Sequence, residues 1–187
     1  MTVRLDESVE LLERSLGYTR ARLADVHDDL LDRPTPCAGW RLADLLTHMD
    51  DALDAFTEAA GGEVVVHGGR RAAGRVAAIQ QKACALLGAW ASPSPGDVVI
   101  TTGDGGLDLT STLLVATAAL EITVHGWDVG QATGVPAPIP DALARDLLPV
   151  AHAVTGRADR GARFAAPRPV SPGASEAARL LGFLGRT

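Results

Sequence analysis

The chain has 187 residues, 47% hydrophobic and 21% charged, with a formal net charge of -6, a length that suits one domain with a substantial core and is short for two. No apolar run reaches the roughly 20 residues of a membrane helix, and an acidic chain without a basic patch interleaved with aromatics speaks against a nucleic-acid partner. The opening MTVRLDESVELLERSL lacks the apolar core and small-residue cleavage site of a signal peptide, so the expectation is a soluble cytoplasmic protein whose two cysteines, Cys37 and Cys84, are reduced thiols.

In chain order, Leu5, Val9, Leu12, Leu16, Leu23, Val26 and Leu30 alternate steps of four and three with Thr19 in one slot, which predicts a long amphipathic helix. The two prolines of PTPCAG end it. A second helix carries Leu42, Leu45, Leu46, Met49, Leu53 and Phe56 on one stripe and closes at GGEVVVHGG. A third, with Ala72, Val76, Ile79, Ala83, Leu86 and Trp90 in the same pattern, is broken by SPSPG. The β-branched, turn-rich DVVITTGDGGLDLTS reads as a short extended excursion or hairpin, or as plain loop.

Ser111 to Thr133 predicts a fourth helix stopped by Gly134 and Pro136, and its stretch from Leu113 to Leu120 has no charge on any face, the mark of a helix surrounded by protein. A shorter fifth helix runs from Asp141 to about Thr155, with a kink expected at Pro149, and the tail from Arg157 is rich in Pro and Gly until EAARLLGFLG. The expected architecture is mainly all-α: an antiparallel four-helix bundle with an additional short helix and a small extended or hairpin segment. It forms a single domain over 1–187, with the tail from about 157 to 187 packed on it.

Within ALEITVHGWDVGQATG, Glu121 and His125 follow directly on the uncharged part of the buried helix. Four residues apart, they share a face with Cβ atoms roughly 5 to 6 Å apart. The spacing alone is weak evidence, since Asp44 with His48 and Glu63 with His67 repeat it. The latter pair lies in a Val-rich, Gly-bounded segment where an extended chain separates them by about 13 Å. A buried ionised Glu121 needs a partner beyond its sequence neighbours. His48, beside Leu45 and Ala52 at the margin of the apolar stripe of the second helix, is the candidate. Two ligands from one helix and a third from another make the three-ligand, open arrangement of a catalytic zinc. The alternative is that Glu121 and His125 hydrogen-bond each other and His48 lies on the surface.

PTPCAGWRLADLLTHMDDAL followed farther on by ALEITVHGWDVGQATG resembles the mycothiol-dependent maleylpyruvate isomerase family, within the DinB/YfiT-like metalloenzymes, and the tail RLLGFLGRT resembles its short actinobacterial members. The resemblance spans nearly the whole chain. It implies a four-helix bundle with a divalent metal held by one His on the second helix and an acid-x-x-x-His pair on a later one; His48, Glu121 and His125 match these positions one by one, and two imidazoles with a carboxylate suit zinc, or else nickel, better than calcium or magnesium. It also implies a small-molecule substrate, mycothiol or a similar low-molecular-weight thiol as co-substrate, and isomerisation, transfer or hydrolysis as the reaction. The characterised isomerase has an additional C-terminal domain that helps complete its active site, and the length leads us to expect none here. The sequence departs from the family at Arg41, where members often have a Thr or Ser that caps the second helix; Asp44, the partner of that capping box, remains.

Five further residues have two readings each. Cys37, just before a helix N-terminus, is a turn-packing residue or a reactive thiol. Asp128, three residues after His125, orients a ligand or is an exposed or capping acid, and Asp44, one turn before His48, has the same ambiguity. Trp40 and Trp127 read as packing anchors or as walls of a pocket mouth. Cys84, beside Ala83, reads as core, and His27 and His152 as surface. TTGDGG lacks the Lys and Ser/Thr of a phosphate loop, and no G-x-S-x-G is present. Against the thiol-activating metalloenzyme stands a non-catalytic bundle that binds a ligand or protein, its metal structural or absent; an open site in a pocket favours the enzyme and a closed one with a fourth protein ligand the module. A homodimer is the assembly the sequence admits.

Overall fold

The computed structural model describes residues 4–61, 72–91, 110–161 and 164–186. The hairpin expected around DVVITTGDGG and the Glu63/His67 pair lie outside them. Among the described residues the protein is helical and has no strand: α1 (Leu5–Leu23), α2 (Leu42–Gly61), α3 (Ala72–Ala91), α4 (Ser111–Thr133), α5 (Asp141–Val154) and α6 (Glu176–Phe183), with 3-10 turns at Asp28–Leu30 and Arg157–Asp159. This is the expected all-α class. Two compact units make up the chain, Met1–Pro136 and Ala137–Thr187.

In the first unit α1 packs on α4 and α3, and α2 packs on α3 and α4, closing a four-helix bundle. The α2 core is the expected one: Leu42, Leu45, Leu46, Met49 and Leu53 are buried, a spacing of three and four that makes one stripe. From α3 come Ala78, Ile79, Leu86 and Trp90, and the Trp90 indole donates to the Phe56 carbonyl at 3.3 Å. Lys82, the sole lysine of the chain, also links these helices; its ammonium lies 2.8 Å from Asp50 Oδ1 and 2.6 Å from Asp54 Oδ2. Those two hydrogen bonds and the charges of both acids outweigh the effect of burial and raise the Lys82 pKa.

Two expectations for α1 are corrected. It ends at Leu23, with Val26 in the connection after the helix and Leu30 in the 3-10 turn that follows. Arg20 and Arg22 in its last turn complement the negative end of the helix dipole, whereas Asp25, Asp28 and Asp29 beyond oppose it. Its buried stripe is Ser8, Leu11, Leu12, Ser15, Thr19 and Leu23, so half of the covered positions carry hydroxyls and Val9 and Leu16 are only half-buried.

The small residues serve a close helix crossing. The Thr19 hydroxyl donates to the Ile122 carbonyl on α4 at 2.8 Å, and a Cβ at Gly126 would collide with that hydroxyl and come within 3.1 Å of Thr19 Cα. Nearly all of α4 is buried, as its uncharged stretch predicts. The Thr110 hydroxyl caps its start by accepting from Leu113 N, and Gly134, at φ 80°, forms the left-handed cap at its end.

In the second unit, α5 continues through Pro149 as one helix and packs on α6. Asp141 accepts from the Ala177 amide at 3.1 Å, and Ser175 caps α6 through Ala178 N. The Arg160 guanidinium donates to Phe183 O at 2.8 Å and stacks 4.6 Å from that ring. Helix α6 was not foreseen as a helix, although SEAARLLGF carries the Ser cap that announces one.

Candidate metal centre

The loop before α2 is a closed turn. Thr35 N and its hydroxyl both donate to the Trp40 carbonyl at 3.0 Å, Trp40 N donates back to Cys37 O at 3.0 Å, and Cys37 N donates to the Thr35 hydroxyl at 3.2 Å. Gly39, at φ 80°, supplies the left-handed residue that this reversal requires. The absence of a capping hydroxyl at Arg41 is met by other groups. Asp44 accepts from the Arg41 amide at 3.0 Å, and the first amides of α2, Leu42 N and Ala43 N, donate to Arg33 O and Leu31 O at 2.9 and 3.0 Å. The Arg41 guanidinium pairs instead with Asp32 at 2.6 Å. Asp44 therefore acts at the exposed start of the helix.

With α2 anchored this way, His48 faces α4. Its Nε2 lies 2.7 Å from Glu121 Oε1, and His125 Nε2 approaches the same oxygen at 3.1 Å. One nitrogen of each imidazole and one carboxylate oxygen, all within 4.8 Å of one another, form a group able to hold a metal ion. The imidazole rings meet edge to face at 4.9 Å, and Trp40 covers them, 5.0 Å from His48 and stacked 6.4 Å from His125. Of the two readings of Trp40, this places it beside the cluster. Trp127 is buried in the core.

The opposite edge of His125 is also engaged. Its Nδ1 lies 3.0 Å from Asp128 Oδ2, the Cys37 thiol donates to that oxygen at 3.3 Å, and Cys37 Sγ stands 3.9 Å from Nδ1. Asp128 is fully buried, so the structure places it behind His125. Cys37, His125 Nδ1 and Asp128 form a second group with metal-ligand spacing. The two nitrogens point out of opposite sides of one ring, so this group cannot supply a fourth ligand to an ion at Nε2.

Burial alone would raise the Glu121 carboxyl, but hydrogen bonds from His125 and His48, together with their charge, hold it well below the usual carboxylate range. Burial likewise opposes the charged form of His125, yet hydrogen bonds with Asp128, Cys37 and Glu121 and the Glu121 charge carry its pKa well above the ordinary imidazole value. Both ring nitrogens face carboxylates, the arrangement of an imidazolium. Tyr18 on α1 is pushed up to about 12 by burial, against Arg22 and with the charge of Asp128 adding to the rise.

Glu121 and His125 also line a cavity of about 650 Å³ between α1, α2, α3 and α4. Sequence reasoning did not foresee it, and it corrects the reading of Cys84. That residue is exposed and lies with Ala77, Gln80, Gln81 and Leu87 on the face that α3 turns to the cavity, about 160° around the helix from Leu86 at 100° per residue. Cys37 and Cys84 are not joined in a disulfide. His27 and His152 are exposed, as expected, and the His152 ring lies 3.9 Å from Phe183.

Residues 12–130, more than half of the chain, match the family described as Mycothiol maleylpyruvate isomerase N-terminal domain. The chain belongs to that family. The matched segment takes in His48, Glu121 and His125 as well as Cys37, Trp40 and Asp128, so both edges of the cluster lie inside the mycothiol maleylpyruvate isomerase N-terminal domain. Two uncharacterized proteins of Mycobacterium tuberculosis, from strains CDC 1551 / Oshkosh and ATCC 25618 / H37Rv, are each 29% identical over 177 residues, 94% of this chain and 95% of theirs. No solved structure matches. No helix among the described residues is long and apolar enough to cross a membrane.

Proposed function

We propose that the protein is a cytoplasmic metal-dependent enzyme that activates a small thiol, of the mycothiol type its family name carries, for isomerisation, transfer or hydrolysis. The observation that carries this reading is the convergence of His48 Nε2 and His125 Nε2 on one Glu121 oxygen at the wall of an open cavity. Two imidazoles and a carboxylate are the donor set of a first-row divalent ion such as zinc or nickel rather than of calcium or magnesium. The accessible cavity favours an enzyme over a purely structural site, since structural zinc is closed by four protein ligands.

His48, Glu121 and His125 would hold the ion. When bound, such an ion lowers the pKa of a thiol that joins it, keeping it a thiolate near neutral pH. Asp128, accepting from His125 Nδ1–H, fixes the tautomer and orientation of that imidazole. Trp40 covers the histidines and restricts water on that side. The Cys37 thiol, which donates to Asp128, braces the carboxylate.

Elemental analysis of the native chain beside His48→Ala and His125→Ala tests the site: about one first-row metal ion per native chain and little in either variant is the expected result. Equal metal in all three would sink it. In the cobalt-substituted protein, mycothiol should then give a sulfur-to-metal charge-transfer band that persists in Cys37→Ser and is lost in His125→Ala. Bound metal without any thiol-dependent change would overturn the thiol step.

A further inference from the structure

The cavity that meets the cluster is larger than a thiol sulfur needs, and its volume of about 650 Å³ falls within the roughly 300–1,000 Å³ of small-molecule sites. Among the described residues its walls are largely aliphatic, with Leu16, Leu23, Met49, Leu53, Ile79 and Leu87, and Gln80 and Gln81 add two neutral amides. Leu16 and Leu87 are only half-buried at this face. Among the described lining residues the charged or ionisable groups other than the cluster and Cys84 are Glu13 and Arg20. Both are exposed, seven residues apart on α1 and hence on one side of that helix. The Thr19 hydroxyl, also in the wall, is committed to Ile122 O.

A dicarboxylate brought into this cavity would lose hydration against aliphatic side chains; an ion held at Glu121 would offset one carboxylate, leaving the second with a single guanidinium among the described lining residues. An unpaired buried charge is costly, whereas each methylene moved out of water against such a wall is favourable. We infer that the cavity takes a small molecule with an uncharged, largely aliphatic body whose donor end reaches Glu121 and His125, and that it discriminates against dicarboxylates. This rests on the cluster being the reactive centre and names the class of molecule presented to it.

The test uses the full chain, zinc-loaded and under a phosphine reductant, with the neutral fluorescent dye N-phenyl-1-naphthylamine as probe and n-alkanethiols from butane- to octanethiol as competitors. The dye binds, and each added methylene lowers the displacing concentration by up to about fourfold, the equivalent of full burial of a CH₂. Mercaptosuccinate displaces only at far higher concentration than octanethiol, though it carries the same donor. Leu16→Gln and Leu87→Gln, placed at half-buried positions so that helical circular dichroism is kept, weaken the dye several-fold.

A displacing concentration independent of chain length, or mercaptosuccinate matching octanethiol, overturns the inference. Dye affinity unchanged in both Gln variants does so as well. Should either variant lose its helicity, the chain-length series on the native protein decides alone. Failure of the metal reading is distinguishable: metal content and the chain-length series would then coincide between the native chain and His48→Ala, and the aliphatic preference would still stand.

Discussion

Two clusters of ionisable side chains tie helices of this bundle together, and they are built on opposite principles. At the α2–α3 contact, one ammonium, Lys82, lies between two carboxylates, Asp50 and Asp54, at 2.8 and 2.6 Å. Its three hydrogens can be shared among several acceptors, so this cluster is complete without any other ion. At the α2–α4 contact two imidazoles converge on a single carboxylate oxygen, at 2.7 and 3.1 Å. That geometry leaves two nitrogen lone pairs directed at one place once their protons are gone, which is what a metal ion requires. A lysine with two aspartates is a brace; two histidines with one glutamate are, in the function proposed above, a socket.

Glu121→Leu breaks the contrast most. Removing a proposed ligand should lower zinc affinity by more than about a hundredfold, since loss of an outer partner alone costs about 10–100-fold. The metal-free variant should melt lower than the metal-free native chain, because removing Glu121 leaves His48 and His125 without the carboxylate they share. A zinc titration and a thermal melt on the same sample check both halves; unchanged affinity would make Glu121 a structural partner.

Asp128→Asn tests the edge of His125 away from the socket. The amide keeps the shape and forfeits the charge, so zinc affinity should fall by about 10–100-fold with metal stoichiometry retained. Competition with a chelator of known strength measures it, and an affinity equal to the native one would reduce Asp128 to packing.

Lys82→Met should do the reverse. Two partly buried carboxylates lose their cation, and a charge left without its partner costs about 1–3 kcal/mol, a fall of roughly 2–4 °C in melting temperature for each kcal/mol in a domain of this size. Metal content should stay at the native level. Loss of metal in this variant would show that the brace and the socket are one network.

The smallest effect is one of pH. Without metal, His125 has a raised pKa, so its contribution to stability is complete below its ordinary value of 6.5 and is lost as pH climbs through the raised one. Glu121 is depressed, so its contribution is present above 4.5 and is lost as pH falls through the lowered value. The pair therefore supports the metal-free fold best between 4.5 and 6.5. Zinc has to displace the Nε2 proton of His125. The melting temperature of zinc-loaded protein should thus rise relative to metal-free protein from pH 6 to 8, and a constant gap would mean that His125 keeps its proton with zinc present.

Much of the fold was legible because punctuation and periodicity agreed. Helix α4 spans Ser111 to Thr133 and ends where its Gly134 signal indicates, and the α2 stripe is the one its leucines draw. Helix α1 was read too long and partly on the wrong face. Hydrophobic periodicity cannot see that Ser8, Ser15 and Thr19 are buried to let a neighbouring helix come close, although glycines at 126 and 130 on α4 were a signal for such a crossing. The juxtaposition of His48 with Glu121 and His125 followed from helix geometry and family resemblance. The contact of Cys37 with Asp128 joins positions 91 residues apart, and no local pattern encodes it. Cys84 was assigned to the core because its neighbours are apolar, but on α3 some apolar residues face a cavity instead of another helix.

One feature of the brace reaches beyond stability. Because Lys82 is the chain's only lysine, it carries the sole side-chain amine that an acylating reagent can find, and that amine is engaged between two helices with 22% of its side chain exposed. Acylation removes the charge and with it the hold on Asp50 and Asp54. The rate at which this amine reacts, followed by the mass of the peptide that carries Lys82 so that the more reactive α-amino group is read separately, is therefore a clock for the parting of α2 from α3.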